Sequence, residues 1–180
     1  MARVLVYAWI FVFAAALPGA AQSAIADVLE SRAAGSFRNL VESAEAMPDA
    51  DYGFRATEET RTFAGYVGHT INSAYNNCSR AKGEANPNEV NLEEETSKAT
   101  LVEAAKAVQT YCADVYAAQT DASLVEMVMV RDNQIPRAQL LVNIIAHNNN
   151  EYGQKVIMMR LKGVVPPTTA RAQRRRQGQD

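Results

Sequence analysis

The sequence predicts an all-α protein, a bundle of four helices of about 20 residues each. Three observations carry that expectation. Apolar residues recur at three- and four-residue spacings through four long stretches, no stretch alternates apolar with polar as a half-buried strand does, and no internal repeat is present. The composition agrees: 180 residues with 48% hydrophobic, 21% charged, Gly 9 and Pro 6 describe one ordinary globular domain. Lys+Arg 18 against Asp+Glu 20 give a net charge of −2 and a pI near 5.8, so the electrostatic footprint of a dedicated nucleic-acid binder is missing.

Residues 1–23 read as a secretory signal peptide. One positive charge at Arg3 precedes an apolar run from Val4 to Leu17, then Pro18, Gly19 and small residues. That run falls short of the roughly 20 residues needed to cross a bilayer core, so cleavage is expected over anchoring, after either Ala21 or Ser23. No cysteine lies near either cut for lipid attachment. Trp9, the only tryptophan, would leave with the signal. The expected destination is periplasmic or extracellular, with no stable membrane insertion after cleavage. An oxidising compartment lets Cys78 and Cys112 form a disulfide closing a loop of 34 residues.

The bundle is expected over residues 24–167. Its first helix runs from about Ala24 to Ala46, with Ile25, Val28, Leu29, Phe37, Leu40 and Val41 as its apolar set, and ends at Pro48. A turn-rich linker follows, in which Thr57 with Glu58 and Glu59 reads as an N-cap. The second helix reaches about Lys82, its buried stripe being Phe63, Val67, Ile71, Ala74 and Cys78.

Gly83 to about Ala99 holds Asn86-Pro87-Asn88 and the acid run Glu93-Glu94-Glu95, the pattern of a long solvated loop. Thr100-Leu101-Val102-Glu103 matches a capping box for a third helix to about Gln119. Leu124 to Val130 is an apolar run fitting either a short helix or an extended strand, broken by Arg131 to Pro136. The fourth helix begins near Arg137, continues to Leu161 and has Gly163 as its C-terminal cap. Residues 168–180 have no apolar side chain larger than Ala and carry Arg171, Arg174, Arg175 and Arg176. They read as a disordered basic tail, with contact to an anionic lipid or polymer as the alternative.

His147 and Glu151 on the fourth helix are four apart and share a face with Ile144 and Met158. A histidine and a carboxylate facing a core must be hydrogen-bonded or hold a metal. The spacing alone favours a local hydrogen bond. His69 lies mid-way along the second helix, one position off the apolar stripe, and reads by itself as an ordinary boundary histidine. There is no Gly-rich phosphate loop, Cys-x-x-Cys, His-Glu-x-x-His or Gly-x-Ser-x-Gly elbow.

Three stretches nonetheless resemble one family. MPDADYGFRATEETRTFAGYVGHT is similar to the pattern MP…Y.fRPt.E.RtFg..v.Hi of the DinB-like (DfsB-like) superfamily, HNNNEYGQ to its HxxxHRGQ or HxxEHYG signature, and LKGVVPP to its LKGIVPPs ending. Order and spacing agree from Met47 to Pro167. The resemblance implies a DinB-like four-helix bundle with long loops, holding a divalent metal on three histidines. His69 matches the helix-two ligand and His147 the first helix-four ligand, while Glu151 stands where the third histidine is expected. Two histidines and one carboxylate form a ligand set used for zinc and non-haem iron, so zinc, nickel or iron is the implied cofactor. The same exchange could mark a degenerate site. Tyr152, Gly153, Gln154 and Tyr66 fit the surroundings of such a centre, either tyrosine as a hydrogen-bond donor to a metal-bound ligand.

Two functional readings follow. The first is an exported metal-dependent hydrolase or transferase acting on a small-molecule substrate at His69, His147 and Glu151. The alternative is a non-enzymatic envelope bundle that binds a small molecule or protein partner. A thiol-transferase role, known in the family, fits an oxidising compartment poorly, and no general base beyond Glu151 is visible. The bundle leaves a homodimer open.

Overall fold

The structure, a computed structural model, describes residues 24–179. The expected signal peptide and Trp9 lie outside the described residues. Four long helices build the core: α1 (Ala24–Ala46), α2 (Phe63–Lys82), α3 (Lys98–Ala117) and α5 (Arg137–Leu161), joined by a short α4 (Asp121–Leu124), a hairpin of β1 (Met127–Val130) and β2 (Asn133–Pro136), and a terminal α6 (Pro167–Arg176). The all-α bundle is as expected. Helix α1 packs on α3 and α5, α2 packs on the same two, and α1 scarcely meets α2. Both the α1–α2 and the α3–α5 connections therefore cross the bundle diagonally, which is why both are long.

The expected α2 stripe of Phe63, Val67, Ile71, Ala74 and Cys78 is fully buried, in one core with Phe37, Leu40, Leu101, Val108 and Leu141. Cys78 and Cys112 lie at disulfide distance within this core, with Cα atoms 5.7 Å apart. Pairing late α2 with mid α3 requires α3 to slide along its neighbour, and the 83–97 connection is long enough to allow it.

Helix starts differ from expectation in two places. Thr57 instead forms a small turn with Thr60, while α2 is capped by Thr62, whose hydroxyl accepts from the Gly65 N–H at 2.9 Å directly before the first buried residue, Phe63. Phe54 and Tyr52 carbonyls take the N–H groups of Phe63 and Ala64, so the linker itself closes the helix end. Likewise the Thr100–Glu103 capping box does not form. Ser97 caps α3 by accepting from Thr100 N–H at 3.3 Å, and Glu103 stays exposed.

The Leu124–Val130 run resolves into both of its readings. Thr120 and Ser123 make a reciprocal capping box for α4, and the chain then turns into β1, antiparallel to β2 with Val128 opposite Ile135. The two-residue turn Arg131-Asp132 puts Arg131 at φ 56°, a left-handed backbone unusual for arginine. Gly163 at φ 72° ends α5 as expected, with Val164 N–H returning to the Met159 carbonyl at 2.8 Å.

The tail corrects the sequence reading. Residues 167–176 form α6, with Pro167 at its start, Thr168 bonded to the Tyr152 hydroxyl, and Arg171 paired with Glu42 and Asn39 of α1. Polar docking holds this helix to the bundle, which is why an apolar count missed it. Among the described residues, no helix is long and apolar enough to cross a membrane.

Candidate metal centre

His69, His147 and Glu151 come together from α2 and α5. Their nearest ligand atoms all lie within 4.8 Å of one another. His69 Nε2 faces His147 Nε2 at 3.2 Å, and His147 Nε2 lies 3.7 Å from Glu151 Oε1. The helical spacing of four sets the second distance, and the packing of α2 on α5 sets the first.

A carboxylate that sequence reasoning treated as solvated fixes the geometry. Glu93, in the 3-10 turn Leu92–Glu94, accepts from His69 Nδ1–H at 2.5 Å, which leaves the lone pair of Nε2 directed at His147. Arg61 Nε donates to the other Glu93 oxygen at 3.3 Å. Arg61 Nη2 also sits 3.4 Å from His69 Nδ1, but two donors face each other there, so the carboxylate bond governs. Burial pushes the Glu93 carboxyl up, yet the hydrogen bonds and charges of His69 and Arg61 outweigh it and hold the group below its usual range.

The turn reaches α2 because Gly68 has no side chain. A Cβ at that position would lie 1.9 Å from the Leu92 carbonyl oxygen, a backbone atom that cannot swing aside. Asn72, one turn on, clips the segment down: its carbonyl accepts from Leu92 N–H and from Asn88, and its amide donates to Asn91. The expected free loop is therefore fastened along α2, with Leu92 buried. The signal that could have exposed this was Gly68 beside His69, a helix-interior glycine with no other purpose.

Two polar atoms in the cluster lack protein partners. His147 Nδ1 and Glu151 Oε2 are buried without a hydrogen bond, while His147 Nε2 meets His69 Nε2 at 3.2 Å and Glu151 Oε1 at 3.7 Å. Desolvation lowers the His147 pKa, reinforced by His69 and Lys155 and partly offset by Glu151, so the neutral imidazole is favoured at neutral pH. Behind them Lys155 is fully buried, its ammonium donating to Thr70 Oγ1 at 2.9 Å, and burial pushes its pKa down to about 7. Its position, four residues after Glu151 and eight after His147 on one helix face, is the signal in the sequence that could have found it.

The residues expected around the centre lie elsewhere. Tyr152 bonds Thr168 of α6, Gly153 and Gln154 are exposed, and Tyr66 lies under the Arg61 guanidinium. None of the four hydrogen-bonds a residue of the cluster; the contact to a cluster histidine comes instead from Glu93, as an acceptor.

A helical bundle in which two histidines and a carboxylate converge from two helices carries a cluster that could hold a metal ion. A family model described as the DinB superfamily matches residues 33–154, and the chain belongs to that superfamily. The crystal structure of a DinB-like protein from Bacillus cereus ATCC 10987 is similar in fold, with a TM-score of 0.63 over 73% of this chain and 89% of that one, at 18% identity. Among curated proteins, none matches the chain.

Proposed function

We propose that this protein is an exported metal-binding member of its superfamily that acts on a small molecule as a hydrolase or transferase, with His69, His147 and Glu151 as ligands to zinc, nickel or iron. One observation carries the reading: ligand atoms of two imidazoles and the Glu151 carboxylate lie within 4.8 Å of one another, one imidazole locked with its lone pair facing inward by Glu93. Buried polar atoms without partners are costly, and a divalent cation would take one ligand atom from each of His69, His147 and Glu151. Such an ion supplies Lewis acidity toward a carbonyl, phosphoryl or thiol group. The chain's own part is orientation. Glu93 and Arg61 hold the His69 tautomer, and Gly68 and Asn72 hold Glu93. The cysteine pair at disulfide distance is compatible with export.

Metal analysis tests this. Protein purified without a histidine tag and repleted with first-row metals should retain close to one ion per chain, and should lose it in the Glu151→Ala variant. Substoichiometric binding of every metal tried would leave the non-enzymatic bundle as the reading.

A further inference from the structure

His69 and His147 each stand at the end of a polar ribbon. On α2, Asn72, Ser73, Asn76 and Arg80 follow His69 at helical spacing, and on α5, Gln139 and Asn143 precede His147 by eight and four residues. The β1–β2 hairpin closes a third side. Between them lies an open cleft of about 580 Å³, the size of a metabolite site, with His69 and Glu93 on its wall.

Several side chains of its lining stand open to a ligand. Asn72 and Asn77 are committed to neighbours, and Arg80 donates to Asn77 at 3.4 Å, but among the described residues the exposed Arg131, Asn133, Gln139 and Asn143 make no side-chain hydrogen bond. The one carboxylate in the wall, Glu93, is already matched by His69 and Arg61, which leaves Arg80 and Arg131 as uncancelled positive charge. Arg131 also occupies a left-handed turn position that glycine or asparagine would take with less strain. The hairpin turn sets that left-handed backbone, and the choice of arginine there places a long cationic side chain on the cleft wall.

We infer that this cleft binds a small organic oxyanion, a carboxylate or phosphate on a hydroxylated carbon skeleton, with Arg80 and Arg131 on the anion, the free amides on the hydroxyls, and the far end of the molecule at His69. The inference deepens the metal-centre reading and rests on it only for what happens at His69. The guanidinium fork suits either oxyanion, and the amides suit a polar rather than an apolar body.

A three-compound titration followed by ¹⁵N NMR tests it, using the full chain both stripped with EDTA and loaded with zinc. Glycerate, glycerol 3-phosphate and neutral glycerol serve as probes. At least one anion should shift the arginine Nε–H signals of Arg80 and Arg131 and the amides of Gln139 and Asn143 saturably, glycerol should not, and the stronger anion identifies the group. Arg131→Gln should weaken binding roughly tenfold or more, the weight of one charged hydrogen bond. Arg131→Gly, which also relieves the turn, should lose binding while keeping or raising the unfolding midpoint. No saturable shift with either anion, equal binding of glycerol, or unchanged affinity in Arg131→Gln would overturn the inference. Because the stripped protein is measured separately, anion binding without zinc uptake would count against the metal reading alone, and zinc uptake without anion binding against this one alone.

Discussion

Helix α2 has two faces built on opposite rules. One carries Phe63, Val67, Ile71, Ala74 and Cys78 into a closed core, where each side chain is satisfied by contact. The other carries His69, Asn72, Ser73, Asn76 and Arg80 toward α5, the fastened turn and the hairpin, where the opposing groups include buried polar atoms with no protein partner. The first face explains why the chain folds. The second shows where the fold was left incomplete, and an incomplete buried polar set is what a ligand completes.

Lys155 lies between the two regimes and should give the largest effect. Its folded pKa, near 7, is below the ordinary lysine value of 10.5, so between those limits the unfolded chain holds a proton that the native protein does not. Stability should therefore rise with pH from about 7 toward 10.5, and the burial cost should be fully present below pH 7. Lys155→Met should abolish that slope and raise stability at pH 7 by on the order of a few kcal/mol. Urea midpoints between pH 6.5 and 9.5 measure it, before the buried hydroxyls of Tyr52 and Tyr116, whose pKa values burial pushes up, begin to oppose the trend. A Lys155→Met protein with the wild-type slope would place the amine in water.

On the closed face, the Cys78→Ser, Cys112→Ser double variant should lose about 3 to 4 kcal/mol, the chain-entropy worth of a 34-residue loop. Wild type in strong reductant should match it by denaturant titration. A smaller effect belongs to the boundary between the faces. Gly68→Ala forces the Leu92 backbone off α2, at about 1 to 3 kcal/mol for overpacking, and should release Glu93 from His69. The readout is the His69 ring nitrogen spectrum, which should lose its single Nδ1–H tautomer while the far-UV helix signal is kept.

The closed face was legible in the sequence because burial imposes a period: the α2 stripe and the Gly163 end of α5 follow from spacing and breakers, while the diagonal connections were left open by it. His69, His147 and Glu151 were legible from the family pattern, and helical spacing alone put only the last two together. Glu93 was not, since 24 residues separate it from His69 and a charge run ordinarily faces water. What joins them is a missing Cβ at Gly68 and an amide at Asn72, neither of which has a periodic signature. Helix α6 escaped for a related reason, as Arg171 docks through Glu42 and Asn39 rather than through apolar surface. The hairpin was hidden by an arginine at a turn position normally marked by glycine or asparagine.

The smallest effect on stability should come from Glu151, and that contrast is the point. Without metal, Glu151→Ala gives up attraction to Lys155 and His147 but also removes a buried oxygen with no partner, so its unfolding midpoint should stay within about 1 kcal/mol of wild type. A loss well beyond that would make Glu151 a structural member of the closed core.

Calorimetric titration of zinc into metal-free wild type, Glu151→Ala and Glu151→His tests the central claim, that the open face of α2 and α5 is a metal centre. Wild type should bind one zinc with a clear heat, the alanine variant should lose that binding, and the histidine variant should keep or tighten it, because imidazole restores the third ligand. Equal, negligible heats for all three proteins would contradict the account.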